Sequence, residues 1–95
     1  MTDQDFQVTI DSIAIYSKTI SEEQKAAIRE IYDYIKISKT IRLNDIPIVR
    51  MILMEVNKMY LNNLAMIDKN KTFDADTKDY FRMKMAEVNN VLKKL

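Results

Sequence analysis

Hydrophobic residues recur at intervals of three and four along most of the chain, the spacing that places them on one side of an α-helix. The longest such segment covers residues 46–67, with Pro47 where a first helical turn tolerates proline. Its main face is apolar apart from one asparagine and comprises Ile48, Val49, Ile52, Val56, Met59, Tyr60, Asn63, Met66 and Ile67. The pattern predicts one long helix around which the other segments pack.

A second, weaker apolar stripe lies nearly opposite this face and comprises Met51, Met54, Leu61 and Ala65. A helix that is apolar on two sides requires two partners, so another element or another chain must cover the second side. Three other methionines are assigned to the core: Met59, Met66 and Met85. On the first helix, Val8 and Ile15 lie beside the core face. The sequence therefore predicts a partner-binding surface formed by Met51, Met54, Leu61, Val8 and Ile15.

Capping signals and periodicity divide the chain into four helices, predicted at residues 3–19, 22–38, 46–67 and 74–94. Ser21 and Gln24 match a capping box, and Thr2 or Asp3 can cap the first helix. A strand-like alternation over residues 6–10 competes with that helix, but no pairing strand is evident. The face expected to be buried on the first helix is Phe6, Ile10, Ile13, Ser17 and Ile20. Short connections, one of them anchored by Ile41 and Leu43, favour antiparallel packing.

We therefore predict a single all-α domain over residues 1–95, a small antiparallel four-helix bundle with a long central third helix. The composition agrees, because the chain has no Gly, Cys, His or Trp. These absences remove disulfides, thiolate and imidazole ligands, the commonest general base and glycine-rich phosphate loops. Charged residues interrupt every apolar run, so no transmembrane helix is predicted. The first residues are acidic, whereas a secretory signal begins with basic residues. The expected location is the cytoplasm, without membrane contact.

Two groups of acidic residues are candidate cation sites. Residues 68–79 place oxygen-bearing side chains at positions 1, 3, 5, 9 and 12 of a loop with EF-hand length, but Phe73 replaces the turn glycine and Asp79 replaces the bidentate glutamate. Glu30 and Asp33 share one helix face, as in magnesium-dependent nucleotide pyrophosphohydrolases, but a second such pair is missing. A solvated polar surface explains both groups more simply, so no metal site is predicted.

The charges are unevenly distributed, with a net charge of −4 over residues 1–33 and +5 over residues 34–95. Four basic residues surround the connection before the long helix, close to two tyrosines: Lys36, Lys39, Arg42 and Arg50. Basic and aromatic residues together can contact phosphates and stack on bases. The overall balance is nevertheless too mild to be typical of a nucleic-acid-binding domain.

The function that these patterns favour is a non-enzymatic protein–protein interaction module that self-associates, with a homodimer as the expected form. No catalytic residue, cofactor, metal or small-molecule substrate is predicted. Enrichment in Ile, Asn and Lys fits an AT-rich genome, which suggests a small phage or mobile-element protein that binds and modulates a host protein. The alternative is a nucleic-acid-binding or transcription-regulatory protein that uses the basic cluster, and a carboxylate-dependent metal enzyme ranks third.

Overall fold

The computed structural model describes residues 1–70 and 75–95, and within them the chain is helical with no β-strand. The four helices are α1 (Asp3–Ser17), α2 (Glu22–Ser38), α3 (Ile46–Asn70) and α4 (Ala75–Lys94), with a 3₁₀ turn at Leu43–Asp45 before α3. The predicted all-α bundle with a long third helix is confirmed. The first segment is a helix rather than a strand. The sequence predicts Thr72 or Asp74 as the N-cap of α4, and both lie outside the described residues.

Reciprocal capping fixes where α1 and α2 begin. Ser21 Oγ accepts a hydrogen bond from Gln24 N, and Gln24 Oε1 accepts one from Ser21 N, both at 3.3 Å. At the start of α1, Thr2 and Asp5 exchange the equivalent bonds at 3.1 and 2.8 Å. These bonds satisfy N–H groups that have no partner inside the helix. The α2 helix stops at Lys39, whose left-handed backbone (φ 53°) occupies the position where most chains place glycine.

Contacts between helix ends establish an antiparallel arrangement for successive neighbours. Lys39 at the end of α2 pairs with Asp3 at the start of α1, at 3.3 Å. Arg50 near the start of α3 donates to the carbonyl oxygen of Leu92 near the end of α4, at 3.3 Å. The opposite ends of α3 and α4 are joined by an ion pair between Asp68 and Lys78. The end of α4 also meets the start of α1, where Lys94 binds Asp5, so the directions of the helices alternate along the chain.

One continuous apolar core joins all four helices. Helix α1 packs against each of the other three, and α3 packs against α1 and α4. The fully buried apolar side chains are mostly β-branched and come from every helix: Ile13, Ile35, Val49, Ile52, Leu53, Val56, Val88 and Val91. Because α3 is covered on two sides, by α1 and by α4, its buried sector is wide.

The buried sector of α3 differs in position from the predicted face. Leu53 is fully buried although the predicted face omitted it, and Ile48 and Met66 are exposed although the face included them. At 100° per residue, the centre of the buried sector lies about 40° further round the helix axis than predicted, towards α4. The cause is the α4 contact itself, where Asn57 Nδ2 donates to Asn89 Oδ1 at 2.6 Å. Leu43, expected to anchor the connection, is also exposed, whereas Ile41 does pack against the core.

Candidate functional site

The most prominent apolar surface lies on the side of α3 that faces away from α1 and α4. Its large apolar members are Met51, Met54 and Leu61, which are 40%, 52% and 55% exposed. Lys58 lies among them and pairs with Glu55 at 3.1 Å. We call these four residues, Met51, Met54, Lys58 and Leu61, the outward α3 face. Three of the five residues predicted to bind a partner are therefore exposed together on one helix.

The other two residues of the predicted surface do not belong to this face. Val8 is only 7% exposed and belongs to the core, so assigning it to a partner-binding surface was wrong. Ile15 is half-buried and packs against the same core. The reason is that α1 contacts three helices, which cover more of its circumference than a single core face would. Val91 on α4 is likewise fully buried.

Further exposed apolar side chains are distributed over other parts of the molecule. Ile37 and Leu43 are the most exposed of them and flank the connection between α2 and α3. Met66 is exposed on a different side of α3, and Tyr80 and Met83 are exposed on α4. Single exposed apolar residues are common on protein surfaces, whereas several on one helix side form a potential interface. The outward α3 face is the stronger candidate for this reason.

Intramolecular contacts engage the basic residues of the predicted nucleic-acid cluster. Arg42 Nε donates to Asp45 at 2.7 Å, and Arg42 also pairs with Glu30 and stacks over the ring of Tyr34 at 4.5 Å. The hydrogen bond with Asp45 raises the pKa of Arg42.

The other three basic residues also have partners inside the chain. Lys39 pairs with Asp3, Arg50 binds the carbonyl oxygen of Leu92, and Lys36 lies over the ring of Tyr32 at 5.7 Å. Carboxylates therefore pair with Lys39 and Arg42, whereas Lys36 and Arg50 contact neutral groups.

A buried ionic cluster at the same end of the bundle was not anticipated from sequence. The carboxylate of Asp5 is almost fully buried and accepts hydrogen bonds from Lys94 Nζ at 2.7 Å, Asn90 Nδ2 at 3.2 Å and Thr2 N at 2.8 Å. The cluster ties the start of α1 to the end of α4. The only sequence signal for it is an aspartate three residues after the Thr2 cap.

We expect this cluster to make stability depend on pH in strongly acidic solution. Hydrogen bonds from Lys94 and from the Thr2 backbone lower the pKa of Asp5 from 3.8 to about 2. A depressed pKa in the folded state stabilises the fold above pH 4, and that stabilisation is lost as the pH falls towards 2. Urea unfolding measured between pH 6 and 2 should show the loss. The Asp5→Asn variant should be less stable at pH 6 and show a smaller decrease, and equal slopes for both proteins would contradict this account.

In the part of the chain that the structure describes, no three carboxylate, imidazole or thiolate side chains are grouped closely enough to hold an ion. The candidate calcium loop includes residues 71–74, which lie outside the described residues. Of the Glu30 and Asp33 pair, Glu30 is bound to Arg42 at 3.4 Å.

The best-defined cleft lies between α1 and α2 and has a volume of about 440 Å³. Its floor is apolar and includes Ile13 and Ile28. The charged residues Glu22 and Lys25 on its rim pair with each other at 3.1 Å, and the hydroxyl of Ser17 donates to a backbone carbonyl oxygen. These polar groups bond to one another or to the backbone.

Within residues 1–70 and 75–95, no helix has both the length and the apolarity needed to cross a membrane.

Comparison of the chain with models of protein families, with curated proteins and with solved structures gave no match in any of the three.

Proposed function

We propose that this chain is a non-enzymatic protein–protein interaction module that acts in the cytoplasm and self-associates through the outward α3 face. The observation that carries the proposal is the joint exposure of Met51, Met54 and Leu61 on one side of the longest helix. Apolar burial releases about 25 cal/mol per Å², so covering three half-exposed large side chains in each copy provides a driving force for association.

The side-chain chemistry of this surface supports docking rather than catalysis. Methionine is flexible and polarizable, and surfaces that accept partner helices use it frequently. Lys58 and Glu55 place one charge of each sign beside the apolar residues, an arrangement suited to polar contacts around an apolar centre. The chain has no Cys or His to act as nucleophile or base there.

The proposed setting is a small phage or mobile-element protein that binds a host protein and blocks or redirects one of its surfaces. The support is compositional only, because the chain is rich in Ile, Asn and Lys. In this setting, the outward α3 face would serve either a second copy or the host protein, since both would compete for the same apolar residues.

Light scattering across protein concentrations from micromolar to millimolar tests the proposal. We expect the molar mass to rise from that of one 11.2 kDa chain towards twice that value. The rise should persist in high salt, because apolar burial is not screened by ions. A mass of one chain at every concentration would refute self-association.

A gel mobility-shift assay tests the alternative, a nucleic-acid-binding function. Since Asp3, Asp45 and Glu30 already pair with Lys39 and Arg42, we expect no mobility shift of duplex DNA or single-stranded RNA even at low salt. The Lys39→Glu/Arg42→Glu variant should behave identically in the same gel. A low-salt shift in the parent protein that disappears in this variant would instead support the nucleic-acid function.

A further inference from the structure

The exposed side of α3 has the spacing of a coiled-coil seam. Its positions follow one another at intervals of four and three: Pro47, Met51, Met54, Lys58, Leu61 and Ala65. The structure exposes every one of them. A 4–3 repeat places a line of side chains along a helix where a second helix can pack knobs into holes. Over residues 47–65 this line is about 27 Å long.

We propose that this seam packs against the same seam of a second copy, with the two α3 helices antiparallel and related by a two-fold axis at the height of Val56. The inference rests on the proposed self-association and specifies its geometry. With the axis at this height, Met51 faces Leu61 of the second copy and Met54 faces Lys58 of the second copy. Pro47 and Ala65 form the outermost pair, so every seam position has a partner.

The neighbouring registers match the seam less well. Moving the axis half a heptad towards the C-terminus places Asp68 opposite Met51, which sets a carboxylate against an apolar side chain. Moving it equally far towards the N-terminus places Leu61 opposite Asn44, which precedes the helix. Only the register centred at Val56 keeps all the apolar seam residues within the overlap.

Charge distinguishes the antiparallel from the parallel arrangement. In a parallel pair Lys58 would face Lys58 of the second copy, and a like-charge contact inside a seam opposes association. In the antiparallel pair the stem of Lys58 lies along Met54 of the second copy, one position from Glu55 of that copy. Its ammonium group, which already binds Glu55 of its own chain at 3.1 Å, then lies between two carboxylates. A lysine in an otherwise apolar seam also helps to define the register.

The chain exposes more surface than a compact monomer of the same mass. The accessible surface is 6341 Å², whereas a compact monomer of 11.2 kDa is expected to expose about 5,700 Å². The radius of gyration is 14.2 Å, compared with about 12.4 Å for a compact domain of 95 residues. The excess, roughly 600 Å², approaches the ~800 Å² that each partner buries in a standard interface.

Cysteine cross-linking tests the geometry directly, because the chain has no cysteine of its own. The variants are Met51→Cys, Leu61→Cys and a refolded equimolar mixture of the two, oxidised by a glutathione buffer and separated on a non-reducing gel. A disulfide requires Cα atoms within about 7 Å. In the antiparallel pair, residue 51 lies beside residue 61 of the second copy, whereas identical positions lie about 15 Å apart along the axis.

We therefore expect a cross-linked dimer in the mixture and almost none in either variant alone. Glu23→Cys, exposed on α2, measures the background from random collisions. A second pair, Pro47→Cys mixed with Ala65→Cys, repeats the test at the ends of the seam in case the first pair perturbs folding. Cross-linking of Met51→Cys or Leu61→Cys alone would show a parallel arrangement and overturn the inference.

The outcomes also separate this geometry from the proposed function. Absence of cross-links in both mixtures, together with a dimer mass by light scattering, would refute the register while leaving self-association intact. A mass of one chain for the parent protein at every concentration would refute both. A cross-link in both mixtures, above the Glu23→Cys background and absent from the separate variants, is the result that supports the antiparallel seam.

Discussion

Replacing Met54 and Leu61 together by lysine should leave the bundle folded and abolish self-association. Both side chains are about half exposed in the single chain, so the substitutions remove little buried area from the monomer. In the dimer they introduce four ammonium groups into an apolar contact, which costs free energy unless each finds a partner. We expect the dissociation constant to rise at least ~100-fold, equivalent to about 2.7 kcal/mol. Sedimentation equilibrium measures this constant, and circular dichroism verifies the helical content.

Met66 provides a matched control on the same helix. It is 60% exposed, close to the 52% of Met54, but it lies on a different side of α3. The single variants Met54→Lys and Met66→Lys make the same chemical change at similar exposure. We expect Met54→Lys to weaken association and Met66→Lys to leave it unchanged. Equal weakening by both variants would indicate a general charge effect, and no weakening by either would place the interface elsewhere.

Replacing Leu53 by alanine should cost about 2–5 kcal/mol of unfolding free energy, as buried leucines commonly do. Leu53 is fully buried in the core that joins the helices, whereas its neighbour Met54 faces outwards. The Met54→Ala variant should therefore change the stability of the monomer by less than ~0.5 kcal/mol, as surface substitutions usually do.

Urea unfolding of the two variants provides the measurement. The experiment belongs at a protein concentration where monomers predominate, since dimerisation would add to the apparent stability of the parent. Comparable losses for the two variants would mean that the rotation of α3 described above is wrong. A larger loss for Met54→Ala than for Leu53→Ala would mean that Met54 is the buried residue and Leu53 the exposed one.

Local signals in the sequence were sufficient to predict the helices. The Ser21 capping box, the Thr2 cap and the position of Pro47 each depend on interactions within a few residues, so they do not require knowledge of the packing. The predicted start of α2 at residue 22 and of α3 at residue 46 agree with the structure. The antiparallel arrangement followed from the short connections.

Which sector of each helix is buried could not be predicted as well, because that depends on where neighbouring helices pack. The α1 core face includes Asp5, Thr9 and Ser12, which sequence reasoning did not place there. Thr9 and Ser12 are tolerated because their hydroxyl groups donate to carbonyl oxygens one turn earlier in α1, at 2.8 Å. Asp5 is tolerated because Lys94 and Asn90, 85 or more residues away, bind its carboxylate. Periodicity contains no information on such distant pairs.

The candidate surface was predicted in part. The helical spacing visible in the sequence places three residues opposite the main apolar face of the long helix: Met51, Met54 and Leu61. Val8 was misplaced because a helix that contacts three others buries residues on more than one side. The periodicity of one chain restricts how a second polypeptide can pack on this surface, but it does not identify that polypeptide.

The central claim, that another polypeptide covers the outward α3 face, is tested most directly by the solvent exposure of the methionine methyl groups. Methyl-labelled protein and a soluble paramagnetic agent would report the accessibility of each of the seven methionines by NMR. As concentration increases, the account predicts that the methyl groups of Met51 and Met54 become protected while that of Met66 stays accessible. Methyl groups of Met51 and Met54 that stay as accessible as that of Met66 at every concentration would contradict the claim.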